Sequence, residues 1–82
     1  MSTRYSKTSW WFLLHTRDRL KHAPHQETFP PVQPYNRRQT RAVESLIARG
    51  VFTEVRRDAG RIHYTTTLDA VLTAIQKGRP RT

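Results

Sequence analysis

The residues of this chain that could do chemistry are mostly arginines. Arg37, Arg38 and Arg41 stand close together, with Ser45 one helical turn beyond Arg41; Arg56, Arg57 and Arg61 form a second cluster downstream. A guanidinium is permanently charged and presents a planar fork of donors. It suits phosphate oxygens, and it can take the O6 and N7 of guanine with two hydrogen bonds. Residues 36–66 hold seven arginines against three acids. Repulsion on that scale points to a polyanionic partner; the alternative is an ordinary solvated face.

Other chemistries find less support. Four histidines, His15, His22, His25 and His63, invite a metal reading, but zinc needs three or four convergent ligands and the chain has no cysteine. His22 and His25 also flank Pro24, where a helix should end. The six acids are scattered and no nucleophile–base pair stands out by spacing. Only three glycines occur, at 50, 60 and 78, so there is no glycine-rich phosphate loop. No catalytic residue, metal or cofactor is expected, and the chain reads as a binding protein rather than an enzyme. Trp10, Trp11 and Phe12 are consecutive and cannot all face one core. One of Trp11 and Phe12 should be partly exposed, either as extra core cover or as a contact to a protein partner or a second copy.

The framework that carries these residues is small. Eighty-two residues allow one domain, and the 15 Lys and Arg against 6 Asp and Glu give a net charge of +9. The absence of cysteine favours a reducing interior. The longest apolar run, Trp10 to Leu14, is too short for a signal peptide or a membrane span. The expectation is a soluble, cytoplasmic, nucleoid-associated protein with no membrane partner.

Residues 1–8 read as a loose basic arm. Ser9 can cap a helix over about 9–22, with Trp10, Leu13, Leu14, Arg17 and Leu20 along one face. The same apolar run could also open as a strand. Residues 23–35 carry four of the five prolines, so this stretch is a stiff loop or one short turn near Pro30. The clearest signal follows. Asn36 caps and Gly50 stops a helix whose seam is Val43, Leu46 and Ile47, flanked by Ala42 and Gln39. Arg37, Arg38, Arg41, Ser45 and Ala48 lie on its outer face. Residues 51–66 alternate as two strands around the turn Arg57-Asp58-Ala59-Gly60. A loop of two or four residues would put Val55 on the face of Ile62 and Tyr64; with four, Glu54 faces His63 and Arg56 faces Arg61. Thr67 caps a last helix over 67–77, with the stripe Leu68, Val71, Leu72 and Ile75 and a stop at Gly78. The tail 79–82 is expected to be disordered.

The expected architecture is α+β: three helices and a two-stranded hairpin. The stretch Asn36 to Thr66, NRRQTRAVESLIARGVFTEVRRDAGRIHYTT, resembles the winged-helix DNA-binding family. The likeness rests on Ala42, Val43 and Leu46 in a recognition-type helix, the step Gly50-Val51-Phe52, and a charged wing closing on Tyr64. Gln39 departs from it, standing where an apolar residue is usual. The helix that should precede the recognition helix would fall in the proline segment. The resemblance implies that Arg37, Arg38, Arg41 and Ser45 approach the major groove, with Arg56, Arg57 and Arg61 at phosphates or the minor groove. It implies a sequence-specific double-stranded DNA-binding protein acting by site occupancy, as a transcriptional regulator or a replication or recombination accessory factor. A homodimer would double the contacts. Two rival readings are a module that binds a nucleic-acid-processing protein, and an RNA-binding protein stacking bases on Tyr35, Tyr64 or the tryptophans.

Overall fold

The computed structural model describes residues 4–24, 28–29 and 34–80, with the side chains of 79 and 80 excepted. Its elements in chain order are β1 (Arg4–Tyr5), α1 (Lys7–His22), α2 (Arg37–Ala48), β2 (Thr53–Asp58), β3 (Arg61–Thr65), α3 (Leu68–Lys77) and β4 (Arg79–Pro80). The α+β architecture is as expected: three helices and one antiparallel hairpin of β2 and β3. Among the described residues no helix is long and apolar enough to cross a membrane.

The central element, α1, packs against both α2 and α3. It starts at Lys7, two residues before the expected Ser9. Ser6 and Ser9 are both serines able to cap, and the chain uses the first: the Ser6 hydroxyl accepts from the Ser9 amide at 3.1 Å. Ser9 is then buried one turn inside, and its hydroxyl accepts from that of Ser6 at 3.0 Å. The buried stripe is Ser9, Phe12, Leu13, Thr16 and Leu20, so the face is rotated from the expected one. Trp10 and Leu14 are half-buried at its margin. The residues read as an arm are partly structured: Arg4 and Tyr5 pair in parallel with Arg79 and Pro80, where a disordered tail was expected. Gly78 allows that closure, since a Cβ there would collide with the Tyr5 ring. Residues 1–3 and 81–82 lie outside the described residues.

Asn36 caps α2 as its sequence suggests, and Gln39 completes a reciprocal capping box. Asn36 Oδ1 accepts from the Gln39 amide at 2.8 Å and Gln39 Oε1 from the Asn36 amide at 3.0 Å. This accounts for a polar residue where an apolar one was usual. Ala42, Val43 and Leu46 are buried, and Ile47 is packed against them. The chain turns at Gly50, and the Leu46 carbonyl then accepts from both the Val51 and the Phe52 amides, at 3.0 and 3.2 Å. The hairpin is thereby tied to the end of α2.

The hairpin has the shorter of the two expected loop lengths but differs from expectation in register. Its loop has two residues, Ala59 and Gly60, both with positive φ, the geometry that matches strand twist in a tight hairpin. Asp58 pairs with Arg61, Arg57 with Ile62, and Arg56 with His63, but Glu54 pairs with Tyr64 because Val55 is extruded as a bulge. The expected pairs Glu54–His63 and Arg56–Arg61 do not form. Val55 is 52% exposed rather than on the face of Ile62 and Tyr64. All six residues of β2 are exposed, whereas Ile62, His63 and Tyr64 of β3 are buried.

Phe29 and Tyr35 meet β3 and the hairpin turn from the proline-rich stretch. Phe29 bridges Tyr64, its amide donating to the Tyr64 carbonyl at 2.8 Å. Further along, the Tyr35 amide donates to the Gly60 carbonyl at 3.2 Å. The short turn suggested near Pro30 falls outside the described residues. Tyr64 is the core's keystone: its ring stacks on Phe52 at 4.1 Å and on Phe29 at 5.3 Å. Its hydroxyl shares a 3.0 Å hydrogen bond with Thr16 of α1. Burial pushes the Tyr64 pKa well up, so the phenol stays protonated. In α3, Thr67 caps as expected, accepting from the Ala70 amide at 3.1 Å. Val71 and Ala74 are its buried residues, with Leu68 and Ile75 beside them; Leu72, expected in the stripe, is exposed.

Candidate nucleic-acid interface

Successive residues of an α-helix are offset by about 100°. Arg38, Arg41, Ser45 and Arg49 therefore form one continuous stripe on α2, bordering the seam that packs on α1. The first turns of α1 rise beside that stripe. Between them lies an open groove of about 750 Å3 lined by Lys7, Arg37, Arg38, Arg41 and Arg49, together with Ala42 and the small polar residues Ser6, Thr8, Ser9 and Ser45. Among the described residues five cations share this groove and no carboxylate contributes to its lining.

Arg37, Arg38 and Arg41 are exposed, and among the described residues none makes an ion pair. Their charge faces solvent. Arg49 is held more firmly: its Nη2 donates to the Arg4 carbonyl at 2.8 Å and its Cζ lies 4.3 Å from the Tyr5 ring centroid. This cation–π contact and hydrogen bond fix the guanidinium at one end of the groove. Ser45 is half-buried on the groove wall.

The wing arginines sit in different surroundings. Arg57 Nη2 meets Glu54 Oε1 at 2.6 Å and Arg57 Nη1 meets Glu44 Oε2 of α2 at 3.2 Å. In a regular strand residues 54 and 57 would face opposite sides; the Val55 bulge brings them to one side. Hydrogen bonds to Glu54 and then Glu44 raise the Arg57 pKa above its usual value. Arg56 Nε lies 3.7 Å from Asp58 Oδ2, and the His63 imidazole lies 3.7 Å from the same oxygen. Arg61 is half-buried, and its buried Nε has no hydrogen-bond partner among the described residues. The structure therefore brings Arg37, Arg38, Arg41 and Ser45 together and leaves Arg56, Arg57 and Arg61 apart from them, each tied or partly covered.

Lys7 and Arg49 were missed by the sequence reading. Arg49 was legible, since it continues the stripe four residues beyond Ser45. Lys7 was hidden because Ser9 offers the same cap as Ser6 and would leave residue 7 outside the helix. Of the two aromatic contact candidates, Phe12 is buried against Tyr35 and belongs to the core, while Trp11 is 49% exposed. No protein-family model, curated protein or solved structure matches the chain.

Proposed function

We propose that this protein binds double-stranded DNA through the groove between α1 and α2, in the manner of a winged helix, and acts in the cytoplasm by occupying its site. On this reading it is a sequence-specific regulator or a replication or recombination accessory factor with no catalytic step. The observation that carries the reading is the groove with Lys7, Arg37, Arg38, Arg41 and Arg49 on its walls and no acid among its described lining residues. Phosphate contacts supply most of the affinity of such a surface, and arginine forks supply base readout. Arg38 and Arg41 belong to the N-terminal half of α2, the part of a recognition helix that reaches base edges. The hairpin flanks α2 and is pinned to it through Leu46 and Arg57.

The test is selection of duplexes from a random pool at physiological salt, followed by titration of the selected duplex at rising salt. Five neutralised phosphates give a slope of log K against log salt of about −4.5. An enriched motif together with that slope supports the reading. A pool without enrichment removes the sequence specificity, and a flat salt response removes the groove as the DNA contact.

A further inference from the structure

We infer that Trp11 is a stacking platform for an unpaired nucleobase beside the arginine groove, so that the preferred ligand is duplex DNA carrying a single-stranded extension. This rests on the DNA-binding reading above and names its substrate class more closely.

Of three consecutive aromatics, two have structural work. Trp10 packs toward Tyr5, with ring centroids 6.2 Å apart, and Phe12 meets Tyr35 edge-on at 5.5 Å. Trp11 is the one left half-exposed. Its ring is nevertheless held on two sides. Phe12 contacts it edge-on at 5.1 Å and 87°, and His15 lies against it at 3.9 Å and 37°. A ring already fixed in the unbound protein loses little freedom on stacking.

Trp11 also lines a cleft of about 240 Å3 with Lys7, Thr8 and Gln39. Lys7 and Thr8 line the arginine groove as well, so the cleft adjoins the groove. A strand whose phosphate rests on Lys7 would bring its neighbouring base to the indole. Cationic tracks with interleaved aromatics are how proteins hold single strands, because every base offers a π face. A base inside a duplex has both faces occupied by its neighbours, so Trp11 can take an unpaired nucleotide but not an internal pair. A protein occupant fits less well: a lone ring in a small cationic cleft falls far short of the roughly 800 Å2 per partner of a specific protein interface.

The experiment compares the full chain on a blunt duplex and on the same duplex with a short thymidine extension, by fluorescence anisotropy. The extension should raise affinity by about tenfold. Trp11→Ala should bring the ratio of the two probes to about one, and Trp11→Phe should keep part of the preference, since a smaller ring still stacks. In a Trp10→Phe background, indole fluorescence should change with the extended probe and stay constant with the blunt one. Equal wild-type binding to both probes overturns the inference while leaving the DNA-binding reading intact. So does a Trp11→Ala loss that is equal on both probes. A Trp11→Ala change in sedimentation without a change in the probe ratio assigns the ring to contact between copies and likewise overturns it. Failure to bind either probe overturns the DNA-binding reading and the inference together.

Discussion

Arginines of α2 and arginines of the β2–β3 hairpin look alike along the chain, yet they occupy opposite electrostatic situations. Glu44, Glu54 and Asp58, the three acids of residues 36–66, are all drawn to the wing. They hold Arg57 and approach Arg56, while Arg37, Arg38 and Arg41 make no ion pair among the described residues. The local excess of positive charge is thus sorted by folding, with the neutral part on the hairpin and the unneutralised part in one groove. The hairpin is also anchored at several points. Leu46 holds its base, Phe29 flanks it and Tyr35 reaches its turn. The difference teaches that a cluster of arginines in a sequence locates charge but not available charge, because the acids that cancel it can arrive from another element.

The largest effect should come from cutting the joint between the two regions. Phe52 is 1% exposed and stacks on Tyr64 where α2 passes into the hairpin. Phe52→Ala should cost about 3–5 kcal/mol of stability. Thermal melts followed by far- and near-ultraviolet circular dichroism should show a single lowered transition; helices that survive while the hairpin melts would separate the regions. Next is the groove itself. Replacing Arg37, Arg38 and Arg41 together with alanine should weaken duplex binding on the order of a hundredfold, at about 1 kcal/mol or more per arginine. The same change should flatten the salt slope by about 2.7. Replacing Arg56 and Arg61 with alanine should stay within about threefold, since Arg56 lies beside Asp58 and Arg61 is half-buried away from the groove. Comparable losses from both sets would erase the contrast. The smallest effect concerns the clamp. Arg57→Ala should lower stability by no more than about 1 kcal/mol, because the pair partners are exposed. Glu44→Gln should raise duplex affinity slightly, by removing a carboxylate from α2 and loosening Arg57; a loss of affinity would mean that the clamp positions the groove.

Several parts of this fold were legible because their signals are local. Asn36 and Gly50 bracket α2 through capping and turning, which act within a few residues. Thr67 does the same for α3. The start of α1 was misread because Ser6 and Ser9 offer the same hydroxyl, and only packing decides which one is spent on the cap. The Val55 bulge left no mark in the alternation of Val51, Thr53 and Val55, so Val55 was placed inward and Glu54 opposite His63. Phe29 lies in a segment without periodicity, and its bridge to Tyr64 is fixed by tertiary contact alone. In the site, the stripe Arg38, Arg41, Ser45 follows from helical spacing. The pairing of Arg57 with Glu44 does not, since the two stand thirteen positions apart with a bulge between them. The same holds for Phe12 and Trp11: their adjacency showed that one must be exposed, but the choice depends on where Tyr35 lies.

The contrast between groove and hairpin can be read directly from amide chemical shifts of the nitrogen-labelled protein as a duplex is added. The largest perturbations should fall on Lys7, Arg38, Arg41, Ser45 and Arg49, with small changes at Asp58, Ala59, Gly60 and Arg61. Perturbations concentrated on the hairpin turn, with the α2 stripe silent, would contradict the account.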